Sequence, residues 1–544
     1  MTAVVPPGDS PQGAMTQSVA NASIGRLERV DAWCEKWGDW CNPILVKETR
    51  QALKSRQFVI TFSLLLFAAL SWTIVGTFSL MPAIYDTPSA PRLMLGYYFV
   101  LALPMLLVVP LAAYRSLEGE IDDGTLELLS ITALSPKQIV LGKLASAMLQ
   151  MLLYFVVLFP CIAYAYTLRG VDFPTTVILL GMLVLAGVMM SIVALFFAPL
   201  SRSRAGRVMM LLVVIMLLLG TEWLLGLAAY EIIGYGVGLD VDFFFVLLWG
   251  GGIVLIAPAV GYLLLTLTAA QLTPAIENRS TKIRIALLIV NAAVAAWVSL
   301  GSMGRGGVYV GMEMLVIGGT SLMLLWGFAS SMLVAESAVL TPRVQRDLPQ
   351  SFLARATFAW LVPGPATGLV FSTLNLALLA GIAITLVLYS DRNSGYLSVR
   401  EQKMFIHFVL ASISYLTCFL VLVYGLMRAL RRTNNPRVEV GFAALVVVAV
   451  FASLGPYGIE LFKNDFLDFQ YSHWQATNWV WSLYRIADGV DCSALIQLVG
   501  SVGVLGVFVV VYLNPAVVRP RRTATPERVR QELEKAKLGQ DSGE

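Results

Sequence analysis

The stretch YRSLEGEIDDGTLELLSITALSPKQIVLGK, residues 114–143, decides how this chain is read. It is a polar island between two apolar runs, each of roughly the twenty residues that a bilayer crossing requires. Glu118, Glu120, Asp122, Asp123 and Glu127 crowd its first half. Two helix starts follow. Asp123, Gly124 and Thr125 stand ahead of Leu126, Leu128 and Leu129 as the first. Ser135, with Gln138 three residues later, has the spacing of a capping box, and Pro136 occupies a position where the missing amide costs nothing. From there the pattern continues through Gly142 and Lys143 into an apolar run ending near Pro160. The spacing predicts a short surface helix pinned to the mouth of a membrane span.

On either side of the island the composition is that of a membrane. Hydrophobic residues make up 58% of the 544 residues and charged residues 13%, with a mean hydropathy of +0.76. These values lie far from those of a water-soluble globular chain. Apolar runs recur at 58–81, 93–113, 144–167, 175–198, 208–228, 243–269, 285–301, 308–334, 366–390, 404–427, 438–456 and 493–513. They predict an all-α, polytopic integral membrane protein of about twelve transmembrane helices. Residues 1–25, rich in Pro and Gly, read as a disordered tail without a secretory signal, so the N-terminus is expected in the cytoplasm. On that assignment the inner segments hold about 30 Lys and Arg and the outer ones about 8, the bias of a multi-pass cell-membrane protein with both termini inside. The net charge of +4 is too small to support nucleic-acid binding.

Upstream, Asn42 is a capping residue and Pro43 a first-turn residue. Lys47, Arg50 and Lys54 then share one helical face, opposite Leu45, Ala52 and Leu53. A basic amphipathic helix of this kind lies at the lipid surface, where it anchors or touches a partner. Trp33, Trp37 and Trp40 form a second interfacial stripe.

Reactive chemistry is sparse. His407 and His473 have no Cys or carboxylate at metal-ligand spacing, so no metal site is expected. The five cysteines (Cys34, Cys41, Cys161, Cys418 and Cys492) imply no disulfide framework. Gly142-Lys143 lacks the glycine spacing and the hydroxyl of a phosphate loop, so any ATP chemistry belongs to another polypeptide. Glu222 lies well inside the fifth predicted span and Glu313 near the outer end of the eighth, and Asn291 and Asn375 read as helix-packing residues. An ion-coupled secondary transporter, a membrane-embedded transferase and a non-transporting scaffold stay open on residues alone.

The island resembles the coupling loop of type 2 ABC exporter permeases. The matching residues are Glu120, Gly124-Thr125-Leu126-Glu127-Leu128-Leu129, Leu134-Ser135-Pro136 and Ile139-Val140-Leu141-Gly142-Lys143. Asn42-Pro43-Ile44-Leu45-Val46-Lys47-Glu48, followed by Arg50 and Arg56, is similar to the family's interfacial helix. The resemblance covers residues 40–270 and implies a permease subunit without enzymatic activity of its own. It further implies a separate cytoplasmic ABC ATPase that holds ATP and Mg and docks on Glu120, Gly124, Thr125, Leu126, Glu127, Leu129, Ser135 and Pro136.

The expected organisation is a tail and interfacial segment (1–41), an exporter-like domain of six spans (42–270), a second bundle of about six spans (271–514) and a charged cytoplasmic tail (515–544). The inner link 335–365 lacks the Gly-Thr-Leu-Glu signature, although residues 351–360 are suited to an interfacial helix. One coupling element per chain implies a homodimer or a paired second permease. On the outer face, residues 457–491 carry Phe466, Trp474, Trp479, Trp481 and Tyr484, the composition of a cover resting on the leaflet.

Overall fold

The computed structural model describes residues 43–82, 84, 86–124, 135–201, 203–235, 243–274, 277–303, 307–337, 341–346, 351, 358–394, 398–432, 437–467, 471–514, 527 and 531. Among them there is no strand, and twelve helices are long and apolar enough to span a membrane. The chain is an all-helical, multi-pass membrane protein. In lipid only a structure that satisfies its own backbone can span, and continuous helices do so.

The helices are α1 (Pro43–Lys54), α2 (Arg56–Ser79), α3 (Ala90–Asp122), α4 (Pro136–Thr167), α5 (Phe173–Phe197), α6 (Arg204–Tyr235) and α7 (Phe243–Leu272). There follow α8 (Ser280–Met303), α9 (Gly307–Val334), α10 (Pro365–Ser394), α11 (Val399–Leu430), α12 (Glu439–Lys463), the short α13 (Trp479–Ala487) and α14 (Ser493–Leu513). They form two compact units, residues 1–239 with 267–272, and residues 240–266 with 273–544. Most of α7 therefore groups with the helices that follow it.

In the first unit, Ser55 separates α1 from α2, its hydroxyl donating to Ala52 O (2.7 Å) and accepting from Phe58 N (3.1 Å). α2 presents Ile60, Phe67 and Phe78 outward, each about two-thirds or more exposed, as lipid-facing residues are. Its inner face meets α3 closely. The Trp72 indole donates to Leu93 O (3.1 Å), and a Cβ on Gly96 would lie 2.0 Å from the Trp72 ring, so only glycine fits there. Within α3, Leu103–Val108 widens into a π-helical turn that accommodates Pro104, which has no amide to donate.

α3 does not stop at the membrane. It runs on through Glu118, Glu120 and Asp122, so the acidic half of the polar island is a helical extension of the second span. Gly124, read from the sequence as part of a helix start, closes this helix: its φ is +67° and its amide donates back to Ile121 O (3.3 Å). A left-handed glycine just past a helix end folds the chain back so that its own amide meets one of the last helical carbonyls. At the far end of the island, Ser135 caps α4, accepting from Gln138 N (3.4 Å) while Gln138 Oε1 accepts from Ser135 N (2.8 Å). The surface helix expected over residues 125–134 lies outside the described residues, as do the tryptophan stripe before Asn42 and most of the tail after Asn514. Residues 352–357 of the inner link lie outside them too, and Ala359–Leu361 forms one 3₁₀ turn.

The second unit is pinned by buried polar side chains at two depths. Mid-bundle, the Trp326 indole donates to Asn291 Oδ1 (2.8 Å), Asn291 donates to Asn375 Oδ1 (3.2 Å), and Asn375 donates to Phe371 O (2.8 Å). This joins α8, α9 and α10 in the way polar side chains join membrane helices. Between α12 and α14, Gln475, Asn478 and Ser482 are buried, and α13 rests above α12 with the Trp479 indole donating to Ala449 O (2.9 Å). Phe466, Trp474 and Tyr484 remain largely exposed there. Asp491 accepts from Ser493 N (2.9 Å), and that hydrogen bond holds its carboxyl below the usual aspartate value.

Candidate functional site

Three elements of the first unit meet where α3 and α4 leave their apolar lengths. α1 is turned so that Ile44 is buried and Glu48, one helical turn later, faces inward. The extension of α3 carries Ser116 and Glu120 four residues apart, hence on one face. The first turns of α4 bury Ile139, Val140, Gly142 and Lys143.

Lys143 is the centre, with only 2% of its surface exposed. Its ammonium contacts Glu48 Oε1 at 3.0 Å, Glu120 Oε2 at 3.1 Å, Ser116 Oγ at 2.7 Å and Ser116 O at 3.3 Å. The Ser116 hydroxyl in turn donates to Glu48 Oε2 (2.9 Å), and Lys47 lies 3.5 Å from Glu120 Oε1. An ammonium has three donors and no acceptor, so this shell saturates it. Burying a lysine is costly unless each donor is met, and removing one partner of such a pair costs about 3–5 kcal/mol. α1 is thereby fastened to α3 and α4 through charge. Asp122 at the end of α3 pairs with Arg207 at the start of α6, so the same extension also grips the fifth span.

Beside the cluster is a cavity of about 500 Å³. Its charged lining is balanced, with Lys47, Arg115 and Lys143 against Glu48, Glu120 and Asp123. Gln51, Ser55, Ser146 and Gln150 add neutral hydrogen-bonding groups, and Phe58 stacks on Tyr154 (centroids 5.7 Å apart) along its apolar side.

The predicted site residues fall into three groups. Lys47, Glu48 and Glu120 are brought together. Gly124, Ser135 and Pro136 shape the two helix ends that flank the island, while Arg50 and Lys54 are exposed. Asn42, Thr125, Leu126, Glu127 and Leu129 lie outside the described residues, and of Pro43 only its place at the start of α1 is described. Lys143 stood in the sequence only as part of a motif, and Ser116 was not singled out at all.

Arg284 belongs to the Lys and Arg whose inside bias sets the expected topology. It is fully buried at the start of α8, and every guanidinium nitrogen is satisfied. Nε donates to Ser280 Oγ (3.1 Å), Nη1 to Trp360 O and Val362 O (both 2.7 Å), and Nη2 to Glu336 Oε2 (2.8 Å) and Gly364 O (3.2 Å). Glu336 also accepts from Gly364 N (2.8 Å), and Arg431 donates to Ala335 O (2.7 Å). This clamp fixes α8, α9, α10 and α11 of the second unit. Among the described residues, no group of three or more His, Cys, Asp or Glu side chains is placed to hold a metal ion.

No protein-family model, no curated protein and no solved structure matches the chain.

Proposed function

We propose that the chain is the permease subunit of an ABC-type exporter in the cell membrane, moving substrate outward when a separate cytoplasmic ATPase binds and hydrolyses ATP with Mg. The observation that carries this reading is the meeting of its two resembling segments. Glu48 of the interfacial helix and Lys143 after the coupling loop, 95 residues apart in sequence, share one buried ion pair, and Glu120 of the loop joins it. The element at residues 125–134 is strung between the end of α3 and the cap of α4. A push on it is received by both helices and, through Lys143, by α1 as well. Charge contacts that hold three helix ends together let a displacement at the surface tilt two spans as one body rather than dissipate in a loop. The first six spans then act as the exporter domain, and two such chains, or one with a second permease, supply a coupling element to each of two ATPases.

Leu129→Arg tests the proposal. A charge introduced into an apolar contact that becomes desolvated typically costs several kcal/mol. The variant is therefore expected to insert normally, with thermal stability near wild type, while losing its ATPase on purification and losing transport. A Leu129→Arg protein that keeps both would show that this segment is only a connection.

A further inference from the structure

The cavity beside Lys143 has a lining that selects a particular chemistry. It holds three cationic and three anionic side chains. A simple anion or a simple cation placed there would be attracted by one set and repelled by the other. Lys143, Glu48 and Glu120 spend their charge largely on one another. Arg115 and Asp123, both exposed, enter no ion pair among the described residues, and Lys47 has one long contact of 3.5 Å. The cavity thus offers two cationic groups and one anionic group to a ligand that carries both signs. Its remaining walls change character along its depth. Gln51, Ser55, Ser146 and Gln150 are polar, whereas Phe58 at the start of α2, Val108 and Ala112 in the latter half of α3, and Ala147 and Tyr154 further along α4 are apolar and lie within the spanning helices. A ligand filling it has a zwitterionic end and a hydrocarbon end and sits at the level where headgroups meet acyl chains.

We propose that this cavity binds a phospholipid with a primary-amine headgroup, of the phosphatidylethanolamine type. Its phosphate is held by Lys47 and Arg115, its ammonium donates to Asp123, and its upper acyl chain lies against Phe58 and Tyr154. An ammonium with three N–H donors matches carboxylate acceptors, which a trimethylammonium cannot do because it has none. An anionic headgroup leaves Asp123 opposed by like charge. The inference stands on the cavity and the membrane setting alone and does not depend on the transport reading.

The full chain is reconstituted in nanodiscs holding equal parts of phosphatidylethanolamine, phosphatidylcholine and phosphatidylglycerol, then released and weighed by native mass spectrometry. The expected result is one retained lipid per chain, predominantly phosphatidylethanolamine. Arg115→Gln with Asp123→Asn, two exposed positions outside the Lys143 shell, is expected to lower that retention about tenfold. Thermal unfolding of this variant in detergent reports that the fold is intact, and Arg50→Gln with Lys54→Gln, which lie outside the lining, is expected to retain lipid as wild type does. Free phosphoethanolamine at millimolar concentration is expected not to displace the lipid, since the apolar wall holds the chain. Equal retention of the three lipids, retention of phosphatidylglycerol in preference, or a folded double variant that still selects phosphatidylethanolamine would each overturn the proposal. Displacement by free phosphoethanolamine would overturn it too, because the site would then belong to a soluble zwitterion.

Discussion

Lys143→Met removes the ammonium at the junction of α1, α3 and α4 while keeping most of the side chain's length and volume. It leaves Glu48 and Glu120, whose side chains are only 12% and 14% exposed, facing each other across the space the ammonium filled. Two carboxylates with little access to water repel, and removal of one partner from a buried pair costs about 3–5 kcal/mol. Glu48→Gln alone is milder, because Glu120 still neutralises Lys143 and an amide oxygen still accepts from it; about 1–2 kcal/mol is expected. In Lys143→Met with Glu48→Gln only Glu120 stays charged, and it retains Lys47 at 3.5 Å. The double variant should therefore lose less than the sum of the singles, with a coupling of roughly 1–3 kcal/mol. Equilibrium unfolding of the purified chain in mixed micelles gives the four stabilities, and hydrogen exchange over residues 44–54 reports whether α1 detaches locally. Additive losses, or a Lys143→Met chain as stable as wild type with α1 still protected, would refute the view that this cluster fastens the interfacial helix.

Two further outcomes follow from the same geometry. Single cysteines at Ser135 and Arg432, in a background lacking native thiols, should resist a membrane-impermeant reagent in intact cells while one at Ser472 reacts, as the inside bias of Lys and Arg requires; labelling at Ser135 from outside would invert the topology. Arg284→Met strips Glu336 of a guanidinium and removes one donor from each of the Trp360, Val362 and Gly364 carbonyls, so it should destabilise the second unit by about 3–5 kcal/mol, read by the same unfolding assay, and a loss below about 1 kcal/mol would mean water replaces the clamp.

The twelve crossings could be read from the chain because lipid forces each to be one long apolar helix, so run length alone finds them. The cap at Ser135 was equally legible, since a capping box is a local arrangement of residues three apart. What escaped was whatever depends on partners distant in sequence. Lys143 and Arg284 sit near span ends, where a basic residue looks the same whether it reaches for lipid phosphates or is buried against a carboxylate, and Glu48, one of the two carboxylates of Lys143, lies 95 residues upstream. Gly124 was ambiguous for a different reason. An Asp-Gly-Thr run fits a helix start as well as a helix stop, and the choice was made by the extension of α3 beyond its apolar run, which places the glycine at positive φ. The π turn at Leu103–Val108 likewise answers to Pro104 inside a packed span, a position that from sequence signals only a kink.

The most direct test of the account is ATP turnover measured on two preparations from the same membranes, the chain purified to homogeneity and the chain isolated gently with whatever it binds. With no phosphate loop in the sequence, the first is expected to hydrolyse no ATP above background, and the second to hydrolyse it with two ATPase subunits in each assembly. Hydrolysis by the isolated chain, or a gently isolated assembly with no ATPase in it, would contradict the assignment of this protein as an exporter permease.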